Sequence, residues 1–310
     1  MNVEPNLNML EHVAINCTTR LGHVHYTVAN LDRQIAFYRD ILGFKLHWRN
    51  DASAGLGAGG KEDLLRFTEL ANARRTRGTT GLYHTAFLVP TRWDLAQLLK
   101  RIAETRTRIQ GMSNHGTHHA IYLPDAEGNG IELAWDFPQD QWPKSFEEML
   151  QNNRGLAPEE VFSSLDDRSA EWEGLDPATK IGHVHLHVSQ LPPTKRFYYD
   201  ILGFEMPFDT KGVAPTSRMA QQFTESAIFF AAGSYHHHIG TNVWQGVGAP
   251  PPPADATGLR YFTIVVPNKT ELDRLIERTK EAGIAVEQTA DGMLVRDPAQ
   301  NGMVLTSETE

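Results

Sequence analysis

The side chains best suited to chemistry in this chain are its histidines, fourteen in number, several of which fall inside β-like runs. His23 and His25 of GHVHYTV lie on the same side of one predicted strand, because successive strand side chains point to opposite faces. Either can be a metal ligand. His84 takes the matching place in LYHTAFLVP, and Glu132 sits in the later run GIEL. If the two halves carrying them pair around a shared hollow, two imidazoles and one carboxylate converge from three strands. Such a set on one face of a metal leaves positions open on the other, the arrangement of non-haem Fe(II) oxygenases.

The elements that must position these residues are written more than once. LGHVHYTV at 21–28 recurs as IGHVHLHV at 181–188, and FYRDILGF at 37–44 recurs as FYYDILGF at 197–204, each pair separated by the same interval. The chain is therefore a tandem duplication, and each copy contains a weaker second half. LYHTAFLVP leads into the helical stretch 94–104 and the run IYLPDAEGNGIELAWD, while RYFTIVVP leads into a helix over 271–283 and the run MLVRDPAQNGMVLTS. Leu95, Leu98, Leu99 and Ile102 share one helix face, as do Leu272, Leu275 and Ile276. GNG and QNG supply Asn-Gly turn chemistry between the closing strands. The unit reads as a strand, a helix and about three strands, written four times, which predicts an α+β fold of βαβββ modules. The predicted boundaries are an N-terminal segment 1–19, a first domain 20–140, a helical linker 141–178 and a second domain 179–310, with APPPPADATG (249–258) as a proline-rich surface loop.

At 310 residues the chain has room for two cores, and 40% apolar with 22% charged residues is an ordinary globular balance. A net charge of −9 without a basic stripe argues against a nucleic-acid partner. No apolar run is long enough to span a bilayer, and one cysteine, Cys17, cannot form an internal disulfide. With no leader pattern in the first twenty residues, a cytoplasmic protein is the default expectation. Assembly into a homo-oligomer is left open.

The pattern GHVH…FYRDILGF, YHTAFLVP and YLPDAEGNGIEL resembles the vicinal oxygen chelate superfamily, and in its four-module length it is most similar to the extradiol dioxygenases of the catechol 2,3-dioxygenase type. The family's signature matches at His115, Ile121-Tyr122, Asp125, Gly128 and Glu132, with Ser113 and Ala126 departing from it. The resemblance implies His23, His84 and Glu132 as ligands of Fe(II), with Mn(II) as the alternative ion. It further implies His115 as an acid/base that donates a proton and Tyr122 as the residue holding the substrate. The expected substrates are a small aromatic vicinal diol and O2. Phe67, Phe87 and Trp135 are candidates for the apolar wall or for the core. Such enzymes carry another histidine on the last strand of the preceding module, where this chain reads DLLRFTEL with Arg66 or Thr68.

In the second copy Tyr261 stands opposite His84 and Val304 opposite Glu132, so the centre is expected within residues 20–140. His183, His185 and His187 remain on the second copy's opening strand. His236, His237 and His238 are expected to line a cavity or the seam between copies, or to hydrogen-bond the linker, and replacing them is expected to leave activity intact. Two other readings are a glyoxalase-like isomerase or lyase, which adds a fourth protein ligand, and a resistance-type protein that sequesters a planar ligand.

Overall fold

Val24, Tyr26 and Val28 are fully buried while His23, His25 and Thr27 between them are not, and this period of two makes Arg20–Val28 the opening strand, β1. The computed structural model describes residues 12–165, 172–207, 221 and 224–308. The first module continues through a short helix, Leu31–Ala36, capped by the Asn30 side chain, to β2 (Lys45–Arg49), β3 (Ser53–Gly57) and β4 (Leu65–Glu69). The second comprises β5 (Gly81–Leu88), the helix Arg92–Glu104, β6 (Gly111–Asn114), β7 (His118–Pro124) and β8 (Gly130–Asp136). Thr91 and Asp94 close a capping box on that helix, and its four predicted apolar residues are all buried. A two-residue strand, β9 (Arg154–Gly155), lies in the connector. The third module contributes β10 (Lys180–His187), β11 (Ala227–Phe230) and β12 (Ile239–Asn242). The fourth contributes β13 (Gly258–Val266), the helix Lys269–Glu281, β14 (Glu287–Thr289), β15 (Gly292–Arg296) and β16 (Gly302–Ser307). The architecture is α+β, as the repeats require.

The two eight-stranded sheets draw on both copies. One runs β14-β15-β16-β13-β1-β4-β3-β2 and the other β11-β12-β10-β5-β8-β7-β6-β9. β1 lies antiparallel to β13, and β10 lies antiparallel to β5, so the first module joins the fourth and the second joins the third. This corrects the expectation that the halves of residues 20–140 close around one hollow. The duplication gives β5 two near-identical edges to choose from, β1 and β10, and residue alternation says nothing about which is taken.

Between the sheets, Tyr38 packs on Phe44 and Phe67 (ring centroids 5.3 and 5.4 Å), and Phe44 packs on Phe87 at 5.0 Å. Phe67 and Phe87 are thus core residues. Trp135 is half-buried against His119 and Phe137.

The Asn-Gly turns also differ from expectation. The left-handed residues are Gly128 (φ 87°) and Gln300 (φ 68°), each just before the asparagine, and Gly130 already belongs to β8. The cause is a buried carboxylate. Asp125 Oδ1 accepts the amides of Glu127 and Asn129, and Oδ2 accepts the side chains of Gln34 and Asn129, so the loop wraps around the acid. Asp297 repeats the arrangement with Ala299 and Asn301. Removing Asp125 strands several buried donors. Asp125→Ala is therefore expected to lower the unfolding free energy by about 3 kcal/mol, read from the shift of a urea unfolding midpoint.

Candidate metal centre

The register of four strands builds the site. Tyr122 on β7 pairs with Glu132 on β8; Glu132 pairs with Ala86 on β5; Ala86 pairs with His183 on β10. Paired residues share a face, so these side chains form one row. One step along, Gly130, His84 and His185 form the next row. Ala86 has the shortest side chain available that still has a Cβ, and it leaves the space above it open between His183 and Glu132. Gly130 is needed because a Cβ there would lie 2.0 Å from the Tyr83 carbonyl oxygen.

His84 Nε2, Glu132 Oε2 and His183 Nε2 converge in that space. The His84–Glu132 and His84–His183 separations are 3.1 Å, and His183–Glu132 is 3.3 Å. Donors about 2.1 Å from a common ion and at right angles to one another stand about 3.0 Å apart. The three residues are 5%, 1% and 3% exposed, so they are shielded from competing water. The donor set therefore fits a divalent ion held on one face.

Charge is arranged to match. Burial works against ionised Glu132, but the imidazoles around it, His183 first and then the hydrogen bond from His118, hold its carboxyl well below the usual range. Burial keeps the His183 imidazole neutral, its pKa lowered to about 4 against the pull of Glu132. Burial opposes protonation of His118 too, yet its hydrogen bond to Glu132 outweighs that and raises its pKa. His118 Nε2 donates to Glu132 Oε1 at 3.0 Å, and its Nδ1 lies 2.8 Å from Thr117 Oγ1, so the ligand carboxylate is oriented from behind.

The centre opens on a cavity of about 150 Å³. His115 and Tyr122 line it, with His115 Nε2 and Tyr122 Oη 2.7 Å apart. Burial, aided by the charge on His118, lowers the His115 pKa to about 3, so at neutral pH its ring is neutral and shares one hydrogen bond with Tyr122. Tyr83, Phe229 and Trp244 form an aromatic wall, and Met149 and Asn153 of the connector complete it.

The structure thus brings together His84, Glu132, His115 and Tyr122, and it does not bring His23 to them. His23 lies on β1 in the other sheet, 5.9 Å from the Tyr261 ring, in a polar hollow with Arg66 and Asp291. The residue beside His84 and Glu132 is His183, the exact repeat counterpart of His23. The site accordingly straddles both copies and is not confined to residues 20–140. The further histidine sought in DLLRFTEL has a counterpart as well. β12 lies parallel to β10 as β4 lies parallel to β1, and His236–His238 lead directly into β12. His237 lines the cavity with its ring 4.1 Å from that of His183, and His236 stacks on His118 at 5.0 Å. His238 instead accepts the Ala232 amide. The expectation that all three can be replaced without effect does not fit these contacts. The signal for them was present in SYHHHIG, but its meaning depended on the cross-copy pairing.

The sequence is 37% identical to a catechol-2,3-dioxygenase of Bacillus subtilis (strain 168), over 94% of this chain and 98% of that one. It is 31% identical to biphenyl-2,3-diol 1,2-dioxygenase 3 of Rhodococcus globerulus, over 38% of this chain and 64% of the relative. Among solved structures, a putative dioxygenase from Bacillus subtilis subsp. subtilis str. 168 superposes with a TM-score of 0.61 at 13% identity, covering 96% of this chain and 87% of that one. Glyoxalase I from Zea mays superposes with a TM-score of 0.55 at 15% identity, covering 93% and 92%. These two superpositions speak to the fold alone. The family profile matches residues 20–133 and 180–301, and the chain belongs to the Glyoxalase/Bleomycin resistance protein/Dioxygenase superfamily.

Proposed function

We propose that the protein is an Fe(II)-dependent extradiol dioxygenase acting on a single-ring aromatic vicinal diol. The observation that carries this reading is the one-sided group His84–Glu132–His183 facing a cavity lined by His115, Tyr122 and His237. Likeness over nearly the full length to a catechol-2,3-dioxygenase supports it. A ferrous ion held by the three donors supplies Lewis acidity toward both diol oxygens and redox chemistry toward dioxygen. The protein's own residues do the rest. Tyr122 and neutral His115 form a hydrogen-bonded pair at the cavity floor that orients a diol oxygen and takes up its proton. Tyr83, Phe229 and Trp244 offer the ring an aromatic wall. A cavity near 150 Å³ accommodates about one benzene-sized ring, which favours catechol over a two-ring diol.

The glyoxalase-like reading asks for a fourth protein ligand. Among the described residues the group numbers three, and β12, where the fourth would stand, reads IGTN. The test is to purify the protein anaerobically, measure bound iron and manganese, and offer catechol with oxygen. About one iron per chain and a yellow ring-opened product are expected; removing the ion with a chelator abolishes the product and Fe(II) restores it. A chain that binds no stoichiometric iron, or isomerises a hemithioacetal in place of cleaving catechol, overturns the reading.

A further inference from the structure

A line of hydrogen bonds runs from the β8 end to the cavity. Asp136 Oδ2 accepts from the Tyr235 hydroxyl at 2.8 Å, and Asp136 Oδ1 lies 3.2 Å from His236 Nε2. His236 Nδ1 and His237 Nδ1 are 2.8 Å apart. His237 Nε2 is then the nitrogen left for the cavity that this ring lines. An ionised carboxylate only accepts, so His236 carries its proton on Nε2. His236 is 3% exposed and stacks on His118, between Trp142 and Tyr235, with His183 and His237 beyond. A neutral imidazole has one N–H, so with that proton on Nε2 the Nδ1 of His236 is a lone pair. The proton between the two Nδ1 atoms must come from His237.

We propose that Asp136 and His236 are positioning residues that fix the tautomer of His237, so that the nitrogen it offers to the cavity is a lone-pair acceptor and not an N–H donor. The value of an acceptor there rests on the diol reading above, because a diol presents hydroxyl protons to it. Asp136 also lies within 4.8 Å of His118, but its link to His237 is the hydrogen bond to His236.

The test is Asp136→Asn, which keeps the shape. Tyr235 retains the carbonyl oxygen as its acceptor, so the amide NH2 faces His236 Nε2. His236 then carries its proton on Nδ1 and donates it to His237, which is left with Nε2–H. Nitrogen-15 spectra of the full chain with Zn(II) added as a diamagnetic ion read the tautomers directly, the His237 signal being assigned by its loss in His237→Asn. Nδ1–H in the wild type and Nε2–H in Asp136→Asn are expected. Nε2–H in the wild type overturns the proposal, and so does one tautomer in both proteins; the wild-type spectrum decides even if the variant does not fold. With catechol, kcat of Asp136→Asn is expected to fall about 10- to 100-fold with KM changed less than about threefold. Tautomers as expected in a chain that cleaves no diol would overturn the diol reading and leave the relay standing.

Discussion

His183→Ala is expected to reduce bound iron to less than about a tenth of wild type and ring cleavage by about 10³-fold or more, whereas His23→Ala leaves both within about twofold. The two histidines are repeat counterparts, equally placed on their strands, and differ only in what their strands pair with. His183 Nε2 stands 3.1 Å from His84 Nε2 and 3.3 Å from Glu132 Oε2, and two donors alone cannot hold an ion against water as three can. His23 Nε2 has no hydrogen-bond partner, and burial together with nearby Arg66 lowers the His23 pKa to about 4. Metal analysis on both variants, with circular dichroism to check folding, separates the assignments. Loss of iron in His23→Ala with retention in His183→Ala would sink the cross-copy site.

The second large effect concerns His115 and Tyr122. His115→Gln and Tyr122→Phe are each expected to cost about 10²-fold in kcat for catechol, with iron content unchanged, because neither side chain is among the three donors. Their atoms share one hydrogen bond of 2.7 Å, so the two act as a unit. The double variant is expected to lie within about threefold of the weaker single variant, where independent roles would give about 10⁴-fold. Because burial holds the His115 pKa near 3, the proton it handles arrives from Tyr122 or substrate during turnover. A fall in kcat centred at pH 6 to 7 that vanishes in His115→Gln would show instead that the resting residue is charged.

Much of this was legible in the residues alone. The repeats fixed the modules, the apolar spacing fixed the helices, and His84, Glu132, His115 and Tyr122 were all identifiable by position within a module. The place of the third candidate donor within its strand was legible too, five residues before Val28 or Val188. Which copy supplies it was not, because strand pairing across the duplication is a long-range choice between near-identical edges. The same choice hid His236 and His237, whose meaning depends on β12 rather than β4 closing the hollow that holds His84 and Glu132. Phe67 and Phe87 were ambiguous for a simpler reason: a buried aromatic on a strand reads the same whether its face meets a cavity or a neighbouring sheet.

A cation held by His84 and Glu132 on one side of the connector and His183 on the other would act as a clasp across the duplication. A nascent chain released before β10 has formed offers only two of the three donors, so loading would wait until about three fifths of synthesis is complete. Once seated, the ion contributes its binding free energy to the β5–β10 seam, making apoprotein the form in which the copies separate most easily. Starvation for that ion would thus be felt first as a mechanical weakness at that seam.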